Sequence, residues 1–171
     1  MRTELVGASD LRKALRNFSP DLDKEVRDEI ISFLKPVVKK ARGFMPSNDA
    51  MPSGFVGTSE PDRFPKYDSK IARRGIGYKL TSTKPNNRGW SSTVSIHNRT
   101  RAGAIYETAG SKSGIVGKFT PRLPGTLTKS GNMQGRAMYK AYAEDEGKAK
   151  AGVIQALEKA AAKFNARGNN G

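Results

Sequence analysis

The sequence predicts an α+β fold in which two long helices pack on a small antiparallel β-sheet and extended loops project from it. The first observation is a run of apolar residues at helical spacing in the amino-terminal third of the chain. The second is a similar run at the carboxyl end, and the third is alternation of apolar and polar residues in short central segments. A chain of 171 residues is expected to form a single domain over residues 1–171.

The first long helix is predicted to begin at Ser19-Pro20, where serine caps the helix and proline takes the first helical position. A short helix with Ser9 as its cap is expected to precede it. Gly43 is expected to end the long helix, and Pro36 to kink it. The apolar stripe that identifies this helix comprises Leu22, Val26, Ile30, Phe33, Leu34, Val37, Val38, Ala41 and Phe44.

The centre of the chain is predicted to contain two loops and a hairpin. Residues 45–70 hold four prolines without a lasting period, which indicates a long loop or insertion. Residues 110–132 are rich in Gly, Ser, Thr and Lys, which indicates a basic flexible loop. Segment 104–107 suits either a strand or a helical turn. The two strands of the hairpin are marked by Ile76, Tyr78 and Leu80, and by Trp90, Val94 and Ile96.

The second long helix is predicted near the carboxyl end, with an interruption near Gly147. Residues 155–166 are rich in alanine, the strongest helix former. The apolar face of this helix comprises Met138, Tyr142, Ala149, Val153, Leu157, Ala160, Ala161 and Phe164.

Positive charge is concentrated in the middle of the chain. The net charge is +15, and residues 61–142 contain sixteen Lys and Arg but only three acids, so that this segment alone carries +13. Such asymmetry favours an anionic partner, of which nucleic acid is the commonest. The alternative is that the charge aids solubility or forms an arm that lies on an acidic neighbour.

We therefore predict a surface that contacts DNA or an acidic protein through cations of the central segment. No helix-turn-helix, zinc-finger or basic-zipper pattern is present, so sequence-independent contact with phosphates is favoured. Trp90, Tyr78 and Tyr106 are expected in the core of the sheet rather than on a base-stacking surface. The candidate residues are Arg73, Arg74, Lys79, Lys84, Arg88, Arg99, Arg101, Lys112, Lys118 and Arg122.

The sequence predicts no catalytic, metal or cofactor site. There is no cysteine, and the single histidine, His97, has no orienting carboxylate near it in sequence. Residues 110–118 resemble a phosphate-binding loop, but the glycine and Ser/Thr positions of that motif are filled by Lys112 and Phe119. A metal-dependent nuclease would need converging carboxylates. The basic segment offers only Asp62, Asp68 and Glu107.

Five segments of the chain carry a resemblance to a known family: residues 11–15, 33–42, 45–46, 104–110 and 135–142. In this order they resemble the tail-completion, or head-tail joining, neck proteins of long-tailed bacteriophages. The resemblance covers nearly the whole chain, although each motif is degenerate. Two departures stand out: Glu107 and Gly110 have two residues between them where many members have one, and the 45–70 insertion is longer than in compact members.

The resemblance implies a non-catalytic structural subunit of a ring that joins the DNA-filled head to the tail. Its implied partners are further copies of itself, other neck, portal-side and tail proteins, and genomic DNA in the channel. Arg73, Arg74, Arg99 and Arg101 are then expected to face DNA or an acidic neighbour. A tail-terminator protein, a free nonspecific nucleic-acid-binding protein and a small phage nuclease are the alternatives.

The expected location is the neck of the virion, after synthesis in the host cytoplasm. The amino terminus is amphipathic and charged, without the apolar core and cleavage site of a signal peptide. No window approaches the roughly 20 apolar residues that a membrane-spanning helix needs. We therefore expect a soluble protein without a membrane partner.

Overall fold

The computed structural model describes residues 8–56, 65–81, 87, 94–110, 122–130, 133–145 and 147–168. This part of the chain is mostly helical with short strands, which confirms the α+β class and both long helices. The elements in chain order are α1 (Ala8–Phe18), α2 (Pro20–Gly43), α3 (Ser53–Val56), α4 (Ser69–Gly75), β1 (Ile76–Lys79), β2 (Ser95–Asn98), α5 (Arg101–Thr108), β3 (Thr128–Ser130), β4 (Met133–Gly135), α6 (Met138–Glu144) and α7 (Lys148–Gly168).

The strands of the described residues form two ribbons of two strands each. β1 pairs with β2, and β3 pairs with β4. The second ribbon is antiparallel, with Thr128 opposite Gly135 and Ser130 opposite Met133. Helix α6 packs against both strands of this ribbon, and α5 packs against β4. The short helices therefore cover the second ribbon.

The chain divides into two compact units, each assembled from separated stretches of sequence. One unit comprises Met1–Pro36, Lys79–Ser95 and Gly147–Gly171, and the other comprises Val37–Tyr78 and Ile96–Glu146. The expectation of a single domain remains a prediction. Helix α2 contributes residues to both units.

Helix α2 begins and ends where the sequence predicted. It starts at Pro20, directly after the buried Ser19, and ends at Gly43. Its stripe residues Ile30 and Ala41 are fully buried. Ser9 is predicted to cap the first helix, and its side chain is not among those that the structure describes. Among the described residues, no helix is long and apolar enough to span a bilayer.

In the first unit, α2 and α7 are joined by three ion pairs. Arg167 pairs with Asp21 at 2.8 Å, Lys163 pairs with Glu25, and Lys159 pairs with Glu29 at 3.5 Å. The partners follow at four-residue spacing, rising along α2 and falling along α7, so the two helices are antiparallel. The hydrogen bond from Arg167 lowers the pKa of Asp21. Because these groups are largely exposed, the pairs fix the register of the helices more than they stabilise them.

The same unit contains a close contact between Phe33 of α2 and Gly152 of α7. A Cβ atom added at Gly152 would lie 2.5 Å from two carbons of the Phe33 ring. Glycine costs a helix interior up to about 1 kcal/mol relative to alanine. The absence of a side chain therefore allows the phenyl ring to approach the α7 backbone.

We predict that Gly152→Ala lowers the free energy of unfolding, although alanine is the better helix former. The overlap with Phe33 is expected to cost about 1–3 kcal/mol, which exceeds the gain in helix propensity. Denaturant unfolding followed by circular dichroism measures the difference. In a Phe33→Ala background the overlap is gone, and Gly152→Ala should then stabilise by about 0.5–1 kcal/mol. The same sign of change in both backgrounds would refute the contact.

In the second unit, residues 45–70 are the segment predicted as a long loop or insertion. This segment contains α3 and the start of α4, with residues 57–64 outside the described part. Met45, Met51, Phe55 and Tyr67 are buried in the core of the unit. These apolar residues follow neither a helical nor a strand period, so their burial could not be predicted from the sequence.

The predicted secondary structure of segments 104–107 and 76–96 can be compared with the observed elements. Residues 104–107 lie in α5, so the helical alternative is the correct one. The first strand of the predicted hairpin is confirmed as β1. The second predicted strand overlaps β2 at Ile96, and Val94 precedes β2. Trp90 lies outside the described residues, and so does most of the predicted loop 110–132 before Arg122.

Candidate functional site

The end of α4 and the start of α5 are held together by Asn98, the last residue of β2. Its side-chain nitrogen donates to the Ala72 carbonyl at 3.2 Å. Its side-chain oxygen accepts from the backbone and the hydroxyl of Thr100 at 3.0 and 2.8 Å. The Arg99 backbone N–H donates to the Gly75 carbonyl at 3.0 Å. We call this region the α4–α5 junction.

Local sequence explains why the chain forms this junction. Thr100 is the N-cap of α5, with extended backbone angles, and its hydroxyl accepts from the Gly103 N–H at 3.1 Å. A Cβ atom at Gly75 would lie 2.6 Å from Thr100 Cγ2, and one at Gly103 would lie 2.7 Å from Asn98 Cγ. Two glycines therefore leave the space that the Asn98 and Thr100 side chains occupy.

The junction brings together the four arginines that the sequence placed against an anionic partner. Arg73 and Arg74 lie in the last turn of α4, and Arg99 and Arg101 lie on either side of Thr100. All four are exposed. We call Arg73, Arg74, Arg99 and Arg101 the arginine surface.

The four arginines differ in the contacts they make. Arg73 donates to the Met45 carbonyl from Nε at 3.3 Å and from Nη2 at 2.9 Å. It therefore also connects α4 to the residues that directly follow α2. Arg99 donates from Nε to His97 Nε2 at 2.9 Å. Arg74 and Arg101 form no ion pair with any described carboxylate.

The remaining candidate cations are only partly covered by the structure. Lys79 is exposed at the end of β1, and Arg122 is exposed beside the buried Leu123. Lys84, Arg88, Lys112 and Lys118 lie outside the described residues, as does most of segment 110–118, which resembles a phosphate-binding loop. Of the aromatic residues assigned to the core, Tyr106 is buried and Tyr78 is half-buried.

The acids named for a nuclease have structural contacts where the structure describes them. Asp68 is the N-cap of α4 and accepts from the Ile71 N–H at 2.9 Å. Glu107 is buried and is bonded to the start of α6, as described below. Asp62 lies outside the described residues. Within the described ranges, no group of three His, Cys, Asp or Glu side chains is placed to hold a metal ion.

Glu107 caps helix α6 from inside the core. Its side chain is 1% exposed. Oε2 accepts from the Ala137 N–H at 2.9 Å, and Oε1 accepts from the N–H groups of Met138 and Tyr139 at 2.9 and 3.1 Å. These N–H groups have no partners within the helix, and the positive end of the helix dipole favours a carboxylate there. We call this arrangement the Glu107 cap.

Arg136 completes the connection between α5 and α6. It is 5% exposed. Its Nη1 donates to the carbonyls of Tyr106 and Ala109 at 2.9 and 2.7 Å. Burial lowers the pKa of Arg136, and the charge of Glu107 opposes this effect. A Cβ atom at Gly135 would overlap the Glu107 carboxylate, so glycine is required where the two segments meet.

Sequence reasoning missed the structural roles of Glu107 and Arg136. Glu107 was treated only as part of a family motif and as one of three acids available to a nuclease. The signal that could have indicated its role is an isolated acid in an apolar context, because such a group is rarely buried without several hydrogen-bond donors. The donors themselves come from about 30 residues further along the chain.

Comparison of the chain with protein-family models, with curated proteins and with solved structures finds no match.

Proposed function

We propose that this chain is a structural subunit of a ring in the neck of a long-tailed bacteriophage, where it joins the head to the tail. The observation that carries the proposal is that two segments of the resemblance, 104–110 and 135–142, bond to each other through the Glu107 cap. Segments that are separate in sequence and connected in the fold support a shared structural motif better than either segment alone.

The surface of the chain suits assembly with other proteins. A closed ring needs different patches of identical subunits to meet, and such contacts use groups that are exposed in the isolated subunit. Phe18 is 76% exposed at the end of α1, and Ile71 is 58% exposed on α4. The proposed partners are further copies of the chain, portal-side and tail proteins, and DNA in the channel.

We predict that purified virions contain this protein at a fixed, ring-like copy number, on the order of six or twelve per particle. Quantitative mass spectrometry with labelled peptide standards, normalised to the portal protein, measures it. Particles that lack the protein, or contain it at variable trace levels, would contradict the proposal.

A free nonspecific nucleic-acid-binding protein is the second candidate, and the arginine surface favours it. A tail terminator is the third, because it would share the ring architecture. Immunogold labelling of intact particles and of isolated tails separates these candidates. The neck proposal expects label at the head-tail joint, a terminator expects it on isolated tails, and a free binding protein expects none.

A further inference from the structure

We propose that Arg74, Arg99 and Arg101 contact the phosphodiester backbone of duplex DNA, a role that rests on the proposed place of the protein around the DNA channel. Arg73 is left out because both Nε and Nη2 donate to the Met45 carbonyl, whereas the hydrogen bond of Arg99 to His97 occupies only Nε. The other three arginines are exposed, and the α4–α5 junction holds together the backbone segments that carry them.

The first support is that no described carboxylate compensates the charge of these arginines. The described acid nearest in sequence before the junction, Asp68, caps the far end of α4, and the one after it, Glu107, is buried in the Glu107 cap. Neither forms an ion pair with the three arginines in the described structure. A cluster of cations without carboxylates has a positive potential that an anion of high charge density can neutralise.

The second support is that the positive charge of Arg101 does not stabilise helix α5. It is the first residue of α5, and no acid lies in the first turn of that helix. A cation at the positive end of a helix is disfavoured, and Arg99 adds a second positive charge two residues away. A bound phosphate group would remove this repulsion.

The composition of the surface favours nucleic acid over an acidic protein. Protein interfaces usually have an apolar or aromatic centre, whereas interfaces with DNA are far more positive and polar. The only strongly exposed large apolar side chain of the described α4 and α5 is Ile71. Arginine is also the side chain best suited to phosphate, because its planar guanidinium donates two parallel hydrogen bonds.

The test is the salt dependence of binding to a fluorescently labelled 20-base-pair duplex, measured by anisotropy with the full chain. Each phosphate contact contributes about 0.9 to the slope of log affinity against log salt concentration. The triple variant Arg74→Gln/Arg99→Gln/Arg101→Gln should therefore lower the magnitude of the slope by about 2.7, and weaken binding at least about tenfold at 0.1 M salt.

A matched control removes the same amount of charge elsewhere. Lys24, Arg27 and Lys35 are exposed on α2 and form no ion pair with described residues. If Arg74, Arg99 and Arg101 contact the DNA, the control variant Lys24→Gln/Arg27→Gln/Lys35→Gln should change the slope by less than about 1. Thermal unfolding of both variants shows whether either is misfolded, and a single Arg101→Gln variant provides a milder test with an expected slope change of about 0.9.

The outcomes separate this inference from the proposed function. Equal slopes for the two triple variants, or no binding of duplex by the unaltered chain, would overturn the DNA inference. If such a chain were still present in virions, the neck assignment would stand and an acidic protein would become the partner. If only the arginine variant loses duplex binding and the protein is absent from virions, the DNA inference would stand and the neck assignment would fall.

Discussion

Replacing Glu107 with alanine is expected to lower the free energy of unfolding by about 3–5 kcal/mol, because three backbone N–H groups lose their acceptor in a buried position. The change also leaves the buried Arg136 without the neighbouring negative charge. Since single domains are typically stable by about 5–15 kcal/mol, much of the stability would be lost. Urea unfolding monitored by circular dichroism and tyrosine fluorescence measures the effect.

Two further variants show whether capping is the cause. Glu107→Gln keeps the shape and one acceptor oxygen, so it should lose about half as much stability as alanine. Glu144→Ala removes an exposed acid at the other end of α6 and should change stability by less than about 0.5 kcal/mol. If Glu107→Ala and Glu144→Ala unfold at the same urea concentration, the carboxylate does not stabilise α6.

The long helices could be predicted from sequence because their determinants are local. In α2 the cap, the proline at the first position, the apolar period and the terminal glycine all lie within the helix or next to it. Helix α7 is rich in alanine and keeps an apolar face. What the sequence could not give was the partner of each face, such as the register that joins Asp21 to Arg167.

The candidate site divides in the same way. The excess of positive charge between residues 61 and 142 is visible in composition, so an anionic partner could be proposed from the sequence. A shared partner for Arg74, Arg99 and Arg101 was expected, but the contacts that hold their backbone segments together could not be predicted. These are the hydrogen bonds from Asn98 and Arg99 to residues of α4. The Glu107 cap was missed for the same reason, since its donors lie in another segment.

The second large effect is expected at Phe55, in the segment predicted as a long loop or insertion. Phe55→Ala should lower the free energy of unfolding by about 3–5 kcal/mol, the usual cost of removing a buried aromatic side chain. Phe55 is fully buried in α3, and its ring centre lies 5.4 Å from that of Tyr67. The Tyr67 N–H also donates to the Phe55 carbonyl at 2.8 Å, so the two residues connect both sides of segment 57–64.

Tyr67→Phe separates the packing of this cluster from its hydrogen bonding. It removes the hydroxyl that donates to the Pro46 carbonyl at 2.8 Å and leaves the ring in place, so a loss of about 1 kcal/mol is expected. Phe55→Ala should therefore lower the free energy of unfolding at least twice as much as Tyr67→Phe. Removing the phenyl ring leaves a cavity, and the residues around it lose their van der Waals contacts with the ring. A loss below about 0.5 kcal/mol for Phe55→Ala would contradict the burial of its ring, because that is the usual range for exposed side chains.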